Sequence, residues 1–247
     1  MPSNPTVKSA DGWVMFDLAL RYLDRIYLYG APGLGKTYAA THSRMDQERF
    51  VKKQREVVNA TLSDDIVLQE LIGHYMPKGT EFVWHDGPVI TAMRSGQLLV
   101  LNELARASSA VKDAMLGVLD GGSTAIPLPS GEIVVPAQGF QVVATANSST
   151  DDLDPALSDR FEAVIWVSTP HPQMIAALDQ EVKGLGTAVE ASFKDSPERA
   201  ISPRSAFTFT KLIKAGVNPR QSAQLAFGQR SADIVAAFKL AGVGAAA

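Results

Sequence analysis

The sequence predicts an α/β fold built on a parallel sheet, followed by a small all-α unit. Three observations predict it. A short apolar run, Ile-Tyr-Leu-Tyr at 26–29, enters a glycine-rich turn and then a helical pattern from Lys36. The runs 97–101 (QLLVL) and 140–146 are apolar without alternation, the mark of strands covered on both faces. After Thr169-Pro170 strand alternation ceases and the remaining chain reads as helices.

The other elements follow in order. Residues 54–61, with Val57 and Val58, read as a second strand. Asp64 and Asp65 mark the start of a helix running through Leu68, Leu71 and Ile72. Residues 81–85 alternate and end in Asp86-Gly87, a short strand and a turn. Ser108 and Ser109 cap a helix carrying Val111, Met115, Leu116, Val118 and Leu119. Residues 124–135 read as a hairpin turning at Pro129-Ser130-Gly131. Asp154 caps a short helix with Pro155 at its first position, ending near Arg160. The last strand is 163–167. Helices are expected at 171–183, 187–197, 203–215, 218–227 and 230–241. The expected organisation is an α/β domain over 1–168 and a helical domain over 169–247.

Composition narrows the function. With 247 residues, 46% hydrophobic and 20% charged, the chain has enough apolar material for a core. No apolar run approaches the ~18 residues of a membrane span. The stretch 121–150 carries one charge, Glu132, but three prolines break it. The N-terminus lacks the basic start and apolar centre of a secretory signal, so a cytoplasmic location without membrane partners is expected. The absence of cysteine excludes a disulfide scaffold and thiolate chemistry. The four histidines (42, 74, 85 and 171) show no metal-ligand spacing, which argues against a zinc site. Residues 201–247 hold six basic side chains and one acid, a net +5. The whole chain is −3, so 1–200 carry −8. Such asymmetry suits docking on an acidic protein surface or a nucleic-acid patch.

Residues 30–37, Gly-Ala-Pro-Gly-Leu-Gly-Lys-Thr, match G-x-x-x-x-G-K-[ST] between a strand and a helix. Gly30, Gly33 and Gly35 let the backbone bend so that successive N–H groups face one anion. The helix that follows presents its positive end to phosphates. Lys36 supplies a compact charge to the β- and γ-phosphates of ATP, and Thr37 a hard oxygen for Mg²⁺. Ala31, Pro32, Leu34 and the adjacent Tyr38 complete the candidate nucleotide-binding set. A phosphate loop also needs an acid at the end of a neighbouring strand. Glu103, just past LLVLN, is placed to polarise an attacking water. The position before it, commonly an Asp holding Mg²⁺ through water, is Asn102. Asn offers an oxygen without charge, so weaker metal binding and slow hydrolysis are expected.

The run LLVLNELARASSAVKDAMLGVLD resembles the Walker B strand and next helix of MoxR-type AAA+ ATPases, the group with NorQ/CbbQ, gas-vesicle GvpN and dynein- and midasin-like branches. GPVITAMRSG before it and VVATAN after it extend the resemblance, which covers roughly 25–215. It implies a P-loop AAA+ three-layer core with a parallel sheet and a small C-terminal all-α lid. It places sensor 1 on Asn147, an arginine finger on Arg160 of LDPALSDRF, and sensor 2 on Arg204 of Ile201-Ser202-Pro203-Arg204. A salt bridge to Asp159 or Asp154 is the alternative use of Arg160. Residues 78–86 and 124–135 match the helix-2 insert and the hairpin before sensor 1. Tyr75, Met76, Phe82 and Trp84 there are candidates for gripping a polypeptide, or for packing.

The resemblance implies a homo-oligomer, a hexamer, because Arg160 needs a neighbour's site. It implies ATP-driven remodelling or activation of a partner protein, often one with a von Willebrand factor A domain. Two other readings stand beside it. A DNA-handling AAA+ protein is suggested by the +5 segment, but the chain as a whole is acidic. A slowly hydrolysing ATP-dependent scaffold is suggested by Asn102.

Overall fold

The computed structural model describes residues 12–42, 56–121, 124–147, 153–240 and 242–243. They form two units: residues up to Gly30 with Lys36–Trp166, and Ala31–Gly35 with Val167 onward. By packing, the change of unit thus falls after Trp166, and the turn 31–35 groups with the C-terminal helices.

In chain order the first unit runs α1 (Gly12–Tyr22), β1 (Arg25–Tyr29), α2 (Lys36–His42), β2 (Val57–Thr61), α3 (Leu68–Ile72), β3 (Gly73–Lys78), β4 (Glu81–Asp86), α4 (Pro88–Ser95), β5 (Leu98–Asn102), α5 (Ser109–Val118), β6 (Ile126–Pro127), β7 (Ile133–Val134), β8 (Gln141–Ala146), α6 (Pro155–Ser158) and β9 (Ala163–Trp166). Five strands form a parallel sheet in the order β2-β5-β8-β1-β9. Every residue of β5 and β8 is buried, as the uninterrupted apolar runs require of a sheet covered on both faces. The fold is the expected α/β arrangement on a parallel sheet, with the glycine-rich turn between β1 and α2.

Register places the site. Asn102 of β5 lies opposite Thr61 of β2 and Thr145 of β8. Tyr29 of β1 lies opposite Ala146. The carboxyl ends of four strands therefore finish level, and Gly30, Glu103 and Asn147 all leave the sheet at that edge. Gly30 N donates to Ala146 O at 3.3 Å. The carboxyl edge of a parallel sheet is where α/β proteins bind ligands.

Three differences from expectation have local causes. Helix α1 goes unannounced because Val14 and Leu18 are apolar yet exposed, which blurs the stripe of Trp13, Phe16, Ala19 and Leu20 facing the core. Asp64 and Asp65 do not open a helix: α3 starts at Leu68 with no side-chain cap and ends at Gly73, where β3 begins. The insert hairpin is longer than 78–86, because β3 and β4 pair antiparallel from Gly73↔Asp86 to Lys78↔Glu81. The second hairpin, β6 with β7, turns through Pro129–Gly131 as expected, with Leu128 N donating to Glu132 O at 2.8 Å.

The second unit contains α7 (Pro172–Glu181), α8 (Leu185–Asp195), α9 (Pro203–Lys214), α10 (Pro219–Phe227) and α11 (Ser231–Leu240). Helices α7, α9 and α10 each open on proline, whose fixed φ suits the first turn. Asn218 caps α10 by accepting from Arg220 N at 2.9 Å. Phe209, Phe227 and Phe238 form an aromatic cluster, with ring centroids 5.6 to 5.8 Å apart.

Candidate functional site

The site starts from the turn after β5. Glu103 has φ 59° and ψ 38°, the only left-handed non-glycine residue among those described. That conformation costs a side-chain-bearing residue about 1–2 kcal/mol. It turns the chain abruptly out of the buried strand, and such strain concentrates at functional sites. The Glu103 carboxylate accepts from Asn147 Nδ2 at 2.5 Å.

Asn147, just past β8, also reaches the other way. Its Oδ1 accepts from Lys36 Nζ at 3.0 Å, and Nζ donates in addition to Gly30 O at 2.8 Å. Lys36 is only 6% exposed. Burial lowers its pKa from 10.5 to about 8, with the Glu103 charge pulling in the opposite direction. Ammonium, amide and carboxylate thus form one chain in which each amide end faces the charge it suits.

Asn102 sits beside this chain and is 5% exposed. Its Oδ1 accepts from Thr37 Oγ1 at 2.6 Å and Thr145 Oγ1 at 3.1 Å. Its Nδ2 donates to Asn59 Oδ1 and, at 3.5 Å, to Ala60 O. The oxygens here that could hold a divalent cation are Thr37 Oγ1, Asn102 Oδ1 and the Glu103 carboxylate. All are hard oxygens, and one charge is present. That set fits Mg²⁺ shared with a phosphate group and does not make an all-protein cage. No cluster of three His, Cys, Asp or Glu side chains that could hold a metal occurs among the described residues.

The remaining loop residues belong to the second unit. Leu34 is buried, and its carbonyl accepts from His171 N at 2.8 Å. Gly35 has φ 92°, a conformation that favours glycine, and a Cβ there would fall 2.3 Å from the flexible Met174 Sδ and 3.2 Å from His171 Cβ. A Cβ on Gly33 would lie 3.4 Å from Ser202 Oγ and 3.7 Å from Pro203 Cδ, which sets this turn against the start of α9. Arg204 is the next residue of that helix and is exposed. Ala31 and Pro32 are exposed as well. Tyr38 stacks on His42 within α2, with centroids 4.4 Å apart.

The structure thus gathers Gly30, Lys36, Thr37, Asn102, Glu103 and Asn147. Arg160 is engaged elsewhere. Its Nε pairs with Asp120 Oδ1 at 3.1 Å, and one terminal nitrogen donates to Ala156 O at 3.4 Å. The partner is neither Asp159 nor Asp154; Asp154 caps α6 by accepting from Ala156 N at 2.7 Å.

On the insert hairpin, Phe82 is 73% exposed, Tyr75 and Met76 are exposed, and Trp84 is half-buried. Trp84 packs edge-on against Tyr75 and donates to Asp86 Oδ1 at 2.7 Å. Arg94 of α4 ties the two hairpins together, with Nε 2.8 Å from Asp86 and both terminal nitrogens on Glu132 at 2.5 and 2.8 Å. Its hydrogen bonds hold the Glu132 carboxyl below the ordinary carboxylate range. Sequence reasoning missed Asn59, Thr145, Asp120 and Arg94. Only Arg94 carried a signal, as the one charge within PVITAMRS.

The phosphate-loop lysine, the strand-end acid and the amide between them invite comparison with known families. The family described as AAA domain (dynein-related subfamily) matches residues 25–161. The chain belongs to this family. As an AAA domain it agrees with the MoxR-type resemblance, and it is similar to several curated proteins. It is 31% identical to protein NorQ of Paracoccus denitrificans over 144 residues, 56% of this chain and 51% of that one. It is 24% identical to the denitrification regulatory protein NirQ of Stutzerimonas stutzeri over 227 residues, 84% and 78% of the two chains. It is 38% identical to midasin of Giardia intestinalis over 126 residues, 50% of this chain and 2% of midasin. The match thus spans about half the length of NorQ and a small fraction of midasin. No helix among the described residues is long and apolar enough to cross a membrane.

Proposed function

We propose that this AAA domain binds ATP with Mg²⁺, hydrolyses it in a homo-oligomeric ring, and couples that cycle to remodelling or activating a partner protein. The observation that supports this best is the Lys36–Asn147–Glu103 chain at the carboxyl edge of the sheet. Lys36 binds the β- and γ-phosphates. Asn147 orients the attacking water without repelling it or the γ-phosphate. Glu103 accepts the water proton as the new P–O bond forms and the bond to the ADP oxygen breaks. Mg²⁺, when bound, neutralises charge on the phosphates, and Thr37 with Asn102 offers oxygens toward it. Arg160 acts on a neighbouring subunit's γ-phosphate after leaving Asp120, and exchange of a partly exposed pair is inexpensive. Arg204 couples the lid to nucleotide state. The exposed Tyr75, Met76 and Phe82 contact the client polypeptide, and a von Willebrand factor A domain protein is the partner class. The likeness to the denitrification regulatory protein NirQ favours a regulatory role.

The test is steady-state ATP hydrolysis against protein concentration with Mg²⁺, for wild type and Glu103→Gln, with sizing in parallel. Turnover that rises as hexamers form and vanishes in the variant supports the reading. The neutral Asn102 motivates a second reading, a scaffold that binds ATP and turns it over slowly. Tight binding with negligible turnover in both proteins supports that one. Salt-dependent retention on DNA would instead favour a nucleic-acid role.

A further inference from the structure

Asn102 poses a problem of orientation that an aspartate does not. A carboxylate presents oxygen whichever way it turns, whereas an amide presents oxygen at one end and N–H at the other. The two hydroxyls on one side of Asn102, Thr37 Oγ1 and Thr145 Oγ1, do not choose between the ends, since a hydroxyl both donates and accepts. The choice falls to the opposite side. There Ala60 O, a pure acceptor, lies 3.5 Å from Nδ2 and selects that end, and Asn59, with its Oδ1 turned to the same Nδ2, adds the close hydrogen bond. Alternation along β2 puts Asn59 on the same face as Thr61, which is opposite Asn102. The edge strand thus delivers one amide to grip another.

We propose that Asn59 is a positioning residue that, together with Ala60 O, holds the Asn102 amide with Oδ1, not Nδ2, toward Thr37 and the cation accompanying a bound nucleotide. The inference rests on the ATP and Mg²⁺ reading above. Asn59 touches neither nucleotide nor cation. It acts by keeping an N–H group from facing the metal.

The experiment measures binding of a fluorescent ATP analogue to the full chain in EDTA and in Mg²⁺. The readout is the gain in affinity that Mg²⁺ confers. Asn59→Leu, which cannot accept the hydrogen bond, is expected to lose about tenfold of that gain. Asn59→Asp, which still accepts, is expected to keep it. In an Asn102→Asp background the Leu substitution is expected to do nothing, because a carboxylate has no wrong end. A merely structural role for Asn59 would persist in that background. The proposal is overturned if Asn59→Leu matches wild type, or if its loss is equal in both backgrounds. Wild type that binds the analogue with no gain from Mg²⁺ overturns the cation reading and this inference together. Wild type that gains, with variants that do not differ, overturns the inference alone. Thermal unfolding without nucleotide checks that each variant is folded.

Discussion

Asn147 joins Lys36 to Glu103 across the carboxyl edge of the sheet, accepting from the ammonium at 3.0 Å and donating to the carboxylate at 2.5 Å. Without it, the buried cation would keep Gly30 O and the strand-end acid would keep Arg106, whose Nε lies 3.7 Å away, but no hydrogen bond would link the two. The amide spans the two groups, its oxygen toward the ammonium and its nitrogen toward one carboxylate oxygen.

Asn147→Ala is therefore expected to lower kcat about tenfold to a hundredfold, the range for a hydrogen bond to a charged group. Binding of the ATP analogue should change far less, because Lys36 keeps Gly30 O. Comparing kcat with the analogue's Kd checks the split.

Lys36 predicts a pH dependence. Its pKa is lowered to about 8, and phosphate binding favours the charged form. Raising pH above about 8 deprotonates the free protein and should weaken nucleotide binding by up to about tenfold per unit. Binding at pH 8.5 should take up protons, seen by calorimetry in buffers of different ionisation enthalpy. For folding the sign is opposite. The unfolded chain keeps the proton up to about 10.5, so Lys36 alone makes stability rise with pH between about 8 and 10.5.

Arg160 and Asp120 give a paired prediction. If the arginine serves a neighbouring subunit, Arg160→Ala should abolish concentration-dependent turnover, a loss of about 10³–10⁵-fold for such fingers. Asp120→Asn, which only frees Arg160 from its intrachain partner, should retain turnover. Equal loss in both variants would mean the pair is needed for folding instead; circular dichroism separates the two.

Arg94 is expected to matter for the hairpins rather than for chemistry. Arg94→Gln should leave basal hydrolysis and nucleotide affinity unchanged. Amide hydrogen exchange over 73–86 and 126–134 should speed up, because the link between Asp86 and Glu132 is lost. Unchanged exchange in both hairpins would show that the link does not hold them.

Much of this was legible in order along the chain. The strand–turn–helix around Lys36, the apolar run ending in Asn102-Glu103, and the proline-opened helices of the second unit all depend on neighbours a few residues apart. Backbone preference, capping and burial period act at that range, so residue spacing encodes them. Helix α1 and the full insert hairpin were less legible. Exposed Val14 and Leu18 hide the helix's stripe, and Pro77 and the polar residues of β3 mask a strand that only its partner β4 stabilises.

By itself, then, the sequence determined the P-loop α/β class, the order of the motifs and the acid at the end of the buried strand β5. Tertiary structure alone decided the partners. Lys36 meets Asn147 from 111 residues away, Asn102 meets Asn59 from 43, and Arg160 chooses Asp120 over the nearer Asp154 and Asp159. The first two follow from strand order and register in a parallel sheet, where crossovers bring distant strand ends level, and the third from the packing of the segments after α5 and α6. No local spacing carries that information, because it comes into being only when the strands pair.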